Sequence, residues 1–386
     1  MDAAYRQFRD RKIFGSLDGL RAAAILAVVW HHTGGAAASV PLATHGFLGV
    51  DLFFVLSGFL IVTLLLRERE ATGRISLGKF YIRRSLRIFP VYYALLAGIA
   101  LTLGLLRPDA AWAEPFFAKL PYYLTYTATW LPDATLLAIA WSLAAEEQFY
   151  LVWPPLEKFV RPPVLLGVLA GFLAVNQAVN FQVLEAYWPA WLSQARGELE
   201  ILQITFTPIA LGVLLAHALH HPRTFAALRR VLGSPVAQVA AIAIGLIAAS
   251  QPGDISGWPR LVVQLAFVGL LATCVVREDH GLSAVFGRAP LKRLGAVSYG
   301  MYLFHMFVAV AAAAAFRRLG IDSAGAAFLV VAGLTYVVAE ISFRYYETPW
   351  LRLKRRFETG SDAGRLATSV APQLPSAFAR AAIGEP

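Results

Sequence analysis

Long apolar stretches alternate with short polar ones along almost the whole 386-residue chain. Ten apolar runs stand at about 17–38, 47–66, 88–106, 141–157, 163–181, 199–216, 235–250, 260–276, 296–316 and 324–343. Each is close to the ~20 residues that a helix needs to cross a bilayer. The pattern therefore predicts an all-α, polytopic membrane protein, a bundle of about ten transmembrane helices. An eleventh run, 116–131, is short, holds Lys119 and Pro121, and is rich in Tyr and Thr. It is expected to be a re-entrant or interfacial segment inside a 107–140 loop. Three regions follow: a polar N-terminal segment (1–16), a membrane domain (17–357), and a tail (358–386). The tail is rich in Ala, Ser, Pro and Gly and reads as disordered.

Composition agrees. Hydrophobic residues make up 58%, charged residues 15%, and mean hydropathy is +0.59, against about 45–50% and 25% in soluble domains. An ordinary soluble enzyme, a disordered chain and a disulfide-stapled domain are excluded. The net charge of +10 would suggest nucleic acid in a soluble protein, but its layout argues otherwise. With ten spans, both termini share one side, and 28 of the 34 Lys and Arg residues fall there. Basic loops mark the cytosol, so both termini are expected to be cytosolic, with no nucleic-acid partner. If 116–131 also crossed, the basic loops would split between the two faces. Cys274 is the sole cysteine and lies in an apolar run, so no intrachain disulfide or zinc spacing exists. The N-terminus lacks a clear cleavage site, so the run after Leu17 reads as a retained first helix.

Ionisable groups inside apolar runs carry the functional signal, since a mid-membrane charge costs roughly 2.5–3.5 kcal/mol. In SLDGLRAAAILAVVWHHT, His32 lies eleven positions after Arg21, which puts both on one helix face ~16 Å apart along the axis. The bland reading is a snorkelling Arg and a core His; His31 points elsewhere and is the weaker candidate. In GFLGVDLFFVLSGFLI, Asp51 lies near the depth of His32, where a carboxylate can fix an imidazole tautomer. Ser57 and Gly58 suit close helix packing, and Ser57 is assigned no chemistry. In YIRRSLRIFPVYY, Arg83, Arg84 and Arg87 form one basic edge, fit either for phosphates or for anchoring at the cytosolic face. In WSLAAEEQFYLVWP, Glu146 and Glu147 are adjacent, so one of them is expected to meet the polar interior. In VSYGMYLFHMF, Ser298, Tyr302 and His305 share a face. In FRYYETPWLRLKRR, Arg344 and Glu347 are expected to pair, a structural feature.

Taken in order, these segments resemble the acyltransferase-3 family of integral-membrane O-acyltransferases, over roughly residues 15–357. The marks are Arg21 with ten residues before His32, GFLGVDLFFVLSGFLI, FYIRRSLRIFPVY, WSLAAEEQFYLVWP, SYGMYLFH and YYETP. The resemblance implies a ten-helix core, a cytosolic acyl-CoA donor and a glycan or glycoside hydroxyl presented from the outer side. It makes Arg21 and His32 essential, assigns Arg83, Arg84 and Arg87 to the coenzyme A phosphates, and maps an essential Glu to Glu146 or Glu147. Some relatives carry a fused extracytoplasmic hydrolase-like domain, and no such domain is expected here.

The expected mechanism has His32 as general base on the acceptor, or as transient acyl carrier. Asp51 or Glu146 orients it, and Arg21 holds the donor or pairs with a carboxylate. Acyl-CoA, with acetyl-CoA preferred, is a substrate; no permanently bound cofactor or metal is implied. The expected location is the inner (plasma) membrane. The rival class is a proton-coupled transporter or flippase using His32, Asp51 and the Glu pair as a relay, against which no inverted repeat is seen. Trp112, Trp130, Trp188, Trp191 and Trp258 fall in outer loops, where sugar stacking and an interfacial belt explain them equally.

Overall fold

A computed structural model describes residues 3–11, 14–35, 40–130, 137–181, 205–253, 255–277 and 279–357. The 358–386 tail, Trp188, Trp191 and the side chain of Trp130 lie outside the described residues. The described residues are helical throughout, without strands. The elements are α1 (Ala3–Asp10), α2 (Leu17–His32), α3 (Leu48–Thr72), α4 (Leu77–Leu101), α5 (Ala113–Leu124), α6 (Ala140–Phe159) and α7 (Pro162–Asn180). After these come α8 (Thr207–His220), α9 (Pro222–Leu232), α10 (Pro235–Ala249), α11 (Gly257–Val276), α12 (Ala289–Ala296), α13 (Ser298–Leu319), α14 (Ala324–Ile341) and α15 (Thr348–Lys354).

Among the described residues, six helices are long and apolar enough to cross a membrane. They are α3, α4 with its π-helical extension, α7, α11, α13, and α14 with the segments after it. The bent pair α9–α10, kinked by 77°, would make a seventh. This is fewer than ten for a physical reason. The expected spans at α2 and α8 are helices of 16 and 14 residues, and α6 carries Glu146, Glu147, Glu157 and Lys158. The 116–131 run overlaps α5, whose 12 residues rise only about 18 Å. Tyr92 and Tyr93 of α4 donate to the carbonyls of Tyr123 and Leu124 at 2.9 Å and hold α5 against the bundle.

Helix α3 is the hub, with most of its length buried. It crosses α8 at two glycines: a Cβ on Gly58 would lie 2.1 Å from the carbonyl oxygen of Ile209, and one on Gly212 would lie 2.2 Å from that of Val55. Small residues permit this approach, as expected for Gly58. At the other end, Arg67 donates to the carbonyls of Phe8 and Arg11 at 2.9 Å. It thereby places a cation on the C-terminus of the amphipathic α1 and packs over the Phe8 and Phe14 rings. In the loop before α12, burial and then Arg11 hold the His280 imidazole below its ordinary range. Its ring meets Ser16 at 2.7 Å and Gln238 at 3.1 Å.

The last membrane helix changes pitch. α14 passes into a π-helical turn, Ser342–Glu347, before α15. Every fourth residue from Val331 to Leu351 is buried, namely Val331, Thr335, Ala339, Phe343, Glu347 and Leu351. A strict α-helix gains about 40° on such a stripe at each step. The wider π turn keeps Glu347 on the buried side.

Candidate active site

A cavity of about 320 Å³ runs alongside α3 and is closed by α2, α4, α6, α13 and the 343–354 segment. Its α3 wall extends from Val50 to Glu68, about 27 Å at 1.5 Å per residue. One end is charged and holds Arg67, Glu68, Arg83 and Lys354; the other holds Val50, Phe53, Ser142, Leu143 and Tyr302. Between them lie Arg21, Arg84, Arg87, Ser57, Glu146, Glu147, Ser298 and Glu347.

The expected basic edge divides on inspection. Arg83 is engaged, donating to Glu68 at 3.1 Å and to the Phe357 carbonyl at 3.0 Å. Arg21 pairs with Asp18 at 2.6 Å. Arg84 lies over the Tyr150 ring at 4.5 Å, and Arg87 shares its surroundings with Arg21, Arg84, Asp18 and Glu347. Neither Arg84 nor Arg87 makes a hydrogen bond or ion pair with a described residue. These two guanidiniums are thus presented to the cavity with their donors unused, a arrangement suited to phosphate oxygens.

Glu146 and Glu147 both line the cavity, which corrects the expectation that only one would. Glu146 accepts from Ser57 at 2.6 Å, and Tyr150 donates to the same Ser57 hydroxyl at 3.1 Å. Ser57 is therefore part of the site, not only a packing residue. Glu147 makes no hydrogen bond or ion pair with a described residue and lies near Arg84 and Glu146. Glu347, expected to pair with Arg344, instead faces the cavity and accepts from Ser342 at 3.0 Å. Arg344 pairs with Glu340, as does Arg293, the latter at 2.7 Å.

His32 and His305 lie outside the cavity lining, beyond Tyr302. The Tyr302 and His305 rings are 5.6 Å apart and the His305 and His32 rings 5.0 Å apart. The hydrogen bonds fix the tautomers of the neutral rings. His305 Nδ1 faces the Tyr302 carbonyl at 2.7 Å and must carry its proton. His305 Nε2 is then an acceptor, and His32 Nδ1 donates toward it at 3.2 Å and toward the Val28 carbonyl at 3.0 Å. With Nδ1 protonated, the lone pair of His32 lies on Nε2. His305 is fully buried and His32 is exposed.

Asp51 does not meet His32. It is fully buried and takes a two-pronged contact from Arg260, at 2.8 and 3.0 Å, and a third bond from Gln264 at 3.0 Å. Its three bonds join α3 to α11, and it makes no contact with the imidazole. Glu146 also does not touch His32; the orienting group is His305. The geometry thus supplies a long cavity, unpaired cations along it, and an imidazole with a free lone pair beyond its apolar end.

A multi-pass membrane protein with this arrangement falls among the membrane acyltransferases. The model of the family described as "Acyltransferase domain" matches residues 14–342, and the chain belongs to that family. The peptidoglycan O-acetyltransferase OatA of Listeria monocytogenes is 29% identical over 365 residues, covering 88% of this chain and 56% of its own. The O-acetyltransferase OatA of Staphylococcus aureus is 27% identical over 390 residues, covering 94% and 60%. The chain thus spans little more than half the length of these relatives. No solved structure matches it.

Proposed function

We propose that this protein is an O-acyltransferase of the inner (plasma) membrane that moves an acetyl group from cytosolic acyl-CoA to a hydroxyl of a glycan on the outer side. The bundle crosses the membrane about ten times, with both termini cytosolic. The observation that carries the reading is the bare Nε2 of His32, held by the His305 relay beyond the apolar end of a cation-lined cavity. The named activities of the relatives support the choice of acetyl and of a wall-type glycan such as peptidoglycan.

In this reading the nucleotide phosphates rest on Arg84 and Arg87, with Arg21 nearby, and the pantetheine arm runs past Leu60, Phe54 and Phe53. His32 Nε2 takes the proton of the acceptor hydroxyl as its oxygen attacks the thioester carbonyl carbon. The C–S bond breaks, its electron pair leaves on the coenzyme A sulfur, and the proton held by His32 passes to that sulfur, giving the free thiol and the neutral imidazole again. His305 holds the His32 ring in the reactive tautomer. Glu146, through Ser57 and Tyr150, positions the ring on which Arg84 stacks. The two unpaired guanidiniums favour this over a proton relay, which has no use for them.

The test is thiol release by purified protein in detergent given acetyl-CoA, with and without glycan acceptors. His32→Ala is expected to fold normally and lose about 10²–10⁴-fold in rate, the range of a general base. Absence of thiol release by the unmodified protein with every acceptor, together with unaltered glycan acetylation in cells carrying His32→Ala, would overturn the reading.

A further inference from the structure

We infer that His31 binds a second hydroxyl of the acceptor, so that the acceptor is a polyol held by two neighbouring hydroxyls, one at His31 and one at His32; the inference rests on the reading of His32 as the base. His31 stands at the end of α2 away from Arg21 and lines no part of the donor cavity. Its ring is half-buried and fixed from several sides. Nδ1 faces the Thr44 carbonyl at 3.0 Å, so it carries the proton. The Phe47 ring meets it edge-on at 5.4 Å. The loop that supplies Thr44 and Phe47 packs directly on α2: a Cβ on Gly46 would lie 2.3 Å from the Ala27 carbonyl oxygen and 3.0 Å from the His31 Cβ. Trp30 Nε1 donates to the Ala43 carbonyl of the same loop at 2.8 Å, and His45 ties the loop to the Ala249 carbonyl at 2.8 Å.

With Nδ1 protonated, the His31 lone pair lies on Nε2, which accepts no hydrogen bond from a described residue. The same holds for His32, so two fixed imidazoles stand side by side, each with a bare acceptor nitrogen. Their rings are 5.2 Å apart and nearly perpendicular, at 83°. Among the described residues, no three His, Cys, Asp or Glu side chains could hold a metal ion, and a lone pair in this tautomer takes a donor. An alcohol is such a donor. Hydrogen bonds of about 2.8 Å let two hydroxyls on neighbouring carbons of one sugar ring reach both nitrogens across that gap. His32 removes the proton of the hydroxyl that is acylated, while His31 holds the other and fixes the orientation of the sugar. His31 takes part in no bond-breaking step. Because its ring is already pinned, the sugar binds without the cost of ordering it.

The test pairs changes in the acceptor with changes in His31. Thiol release from acetyl-CoA is measured with the methyl glycosides of glucose, galactose and mannose and with the monodeoxy analogues of each one accepted, and NMR of the product identifies the hydroxyl acylated. With the unmodified protein, deleting a hydroxyl next to the acylated one is expected to lower kcat/KM about threefold to tenfold, the worth of one neutral hydrogen bond. His31→Asn can keep the bond to Thr44 but has no atom at the Nε2 position, and His31→Phe keeps a ring without an acceptor. In both, the same deletion should cost less than twofold. His31→Gln, whose amide oxygen reaches the Nε2 position, should restore the sensitivity. A merely structural His31 would depress every acceptor together and leave the cost of the deletion unchanged. An unmodified protein indifferent to every neighbouring hydroxyl overturns the inference without any variant, and a deletion cost unchanged in whichever of His31→Asn and His31→Phe folds overturns it as well. Thiol release with none of the glycosides also overturns it; the transferase reading falls too only if His32→Ala leaves glycan acetylation in cells unaltered.

Discussion

Arg83, Arg84 and Arg87 fall within five consecutive positions of one helix, yet their surroundings give them different work. Arg83 is held between Glu68 and the Phe357 carbonyl, so it ties α4 to α3 and to the end of the described chain. Arg84 and Arg87 keep their donors for the cavity. Arg84→Ala and Arg87→Ala are each expected to raise the KM for acetyl-CoA roughly 10–100-fold, the worth of about 1.5–3 kcal/mol for a hydrogen bond to a charged group. Arg83→Ala is expected to leave that KM within about threefold and to lower stability by about 3 kcal/mol, because Glu68 is left buried without its cation. Steady-state kinetics and thermal unfolding in detergent separate the two outcomes. Equal KM effects at all three positions would show that Arg83 also binds donor.

At the scale of elements, α3 serves two environments at once. Val50, Phe53, Phe54 and Ser57 face the cavity, while Asp51 is turned to α11 and satisfied by Arg260 and Gln264. Asp51→Ala is expected to cost about 3–5 kcal/mol, since it leaves Arg260 buried and uncompensated. The double change Asp51→Leu with Arg260→Met should recover much of that loss, because replacing a buried pair by apolar groups is often neutral. Thermal unfolding reads both. Folded Asp51→Ala protein should keep its kcat within about threefold; a hundredfold loss would return Asp51 to the chemistry of His32. The expectation that Asp51 assists His32 came from their similar depth. Depth is readable from a sequence, but the direction in which a helix turns each face depends on its neighbours, and these come from distant parts of the chain. The contact between His32 and His305 spans 273 positions. The sequence placed each histidine within its helix, yet contained nothing to pair them.

For the whole molecule, the apolar runs marked where helices stand, and a helix occupies the core of each of the ten. Run length and hydropathy report burial without distinguishing lipid from protein, which is why α2, α6 and α8, inside the bundle, are shorter or more polar than a lipid-facing span. The ten-crossing topology has a direct test. In a Cys274→Ser background, single cysteines at Lys79 and Arg288 should react with a membrane-impermeant maleimide only after permeabilisation. Cysteines at Lys119 and Arg317 should react in intact cells. A split within either pair would refute ten crossings. The prediction rests on the distribution of basic residues among the loops, a bias that does not depend on the exact helix boundaries. The cavity itself was not legible: Ser57 read as a packing residue and Glu347 as the partner of Arg344, and Ser142 and Tyr150 carried no signal, until six segments met around them.

The π turn at Ser342–Glu347 makes this stretch of the chain intolerant of changes in length. Removing one residue would restore ordinary α pitch and rotate everything after it by about 100°, taking Glu347, Leu351 and Lys354 away from the cavity together. Inserting one would turn them the other way. Point substitutions at the exposed Tyr345 and Tyr346 leave that phase alone. Natural variation here is therefore expected to run through residue identity rather than residue number, and a chimera joined within this turn must preserve its count.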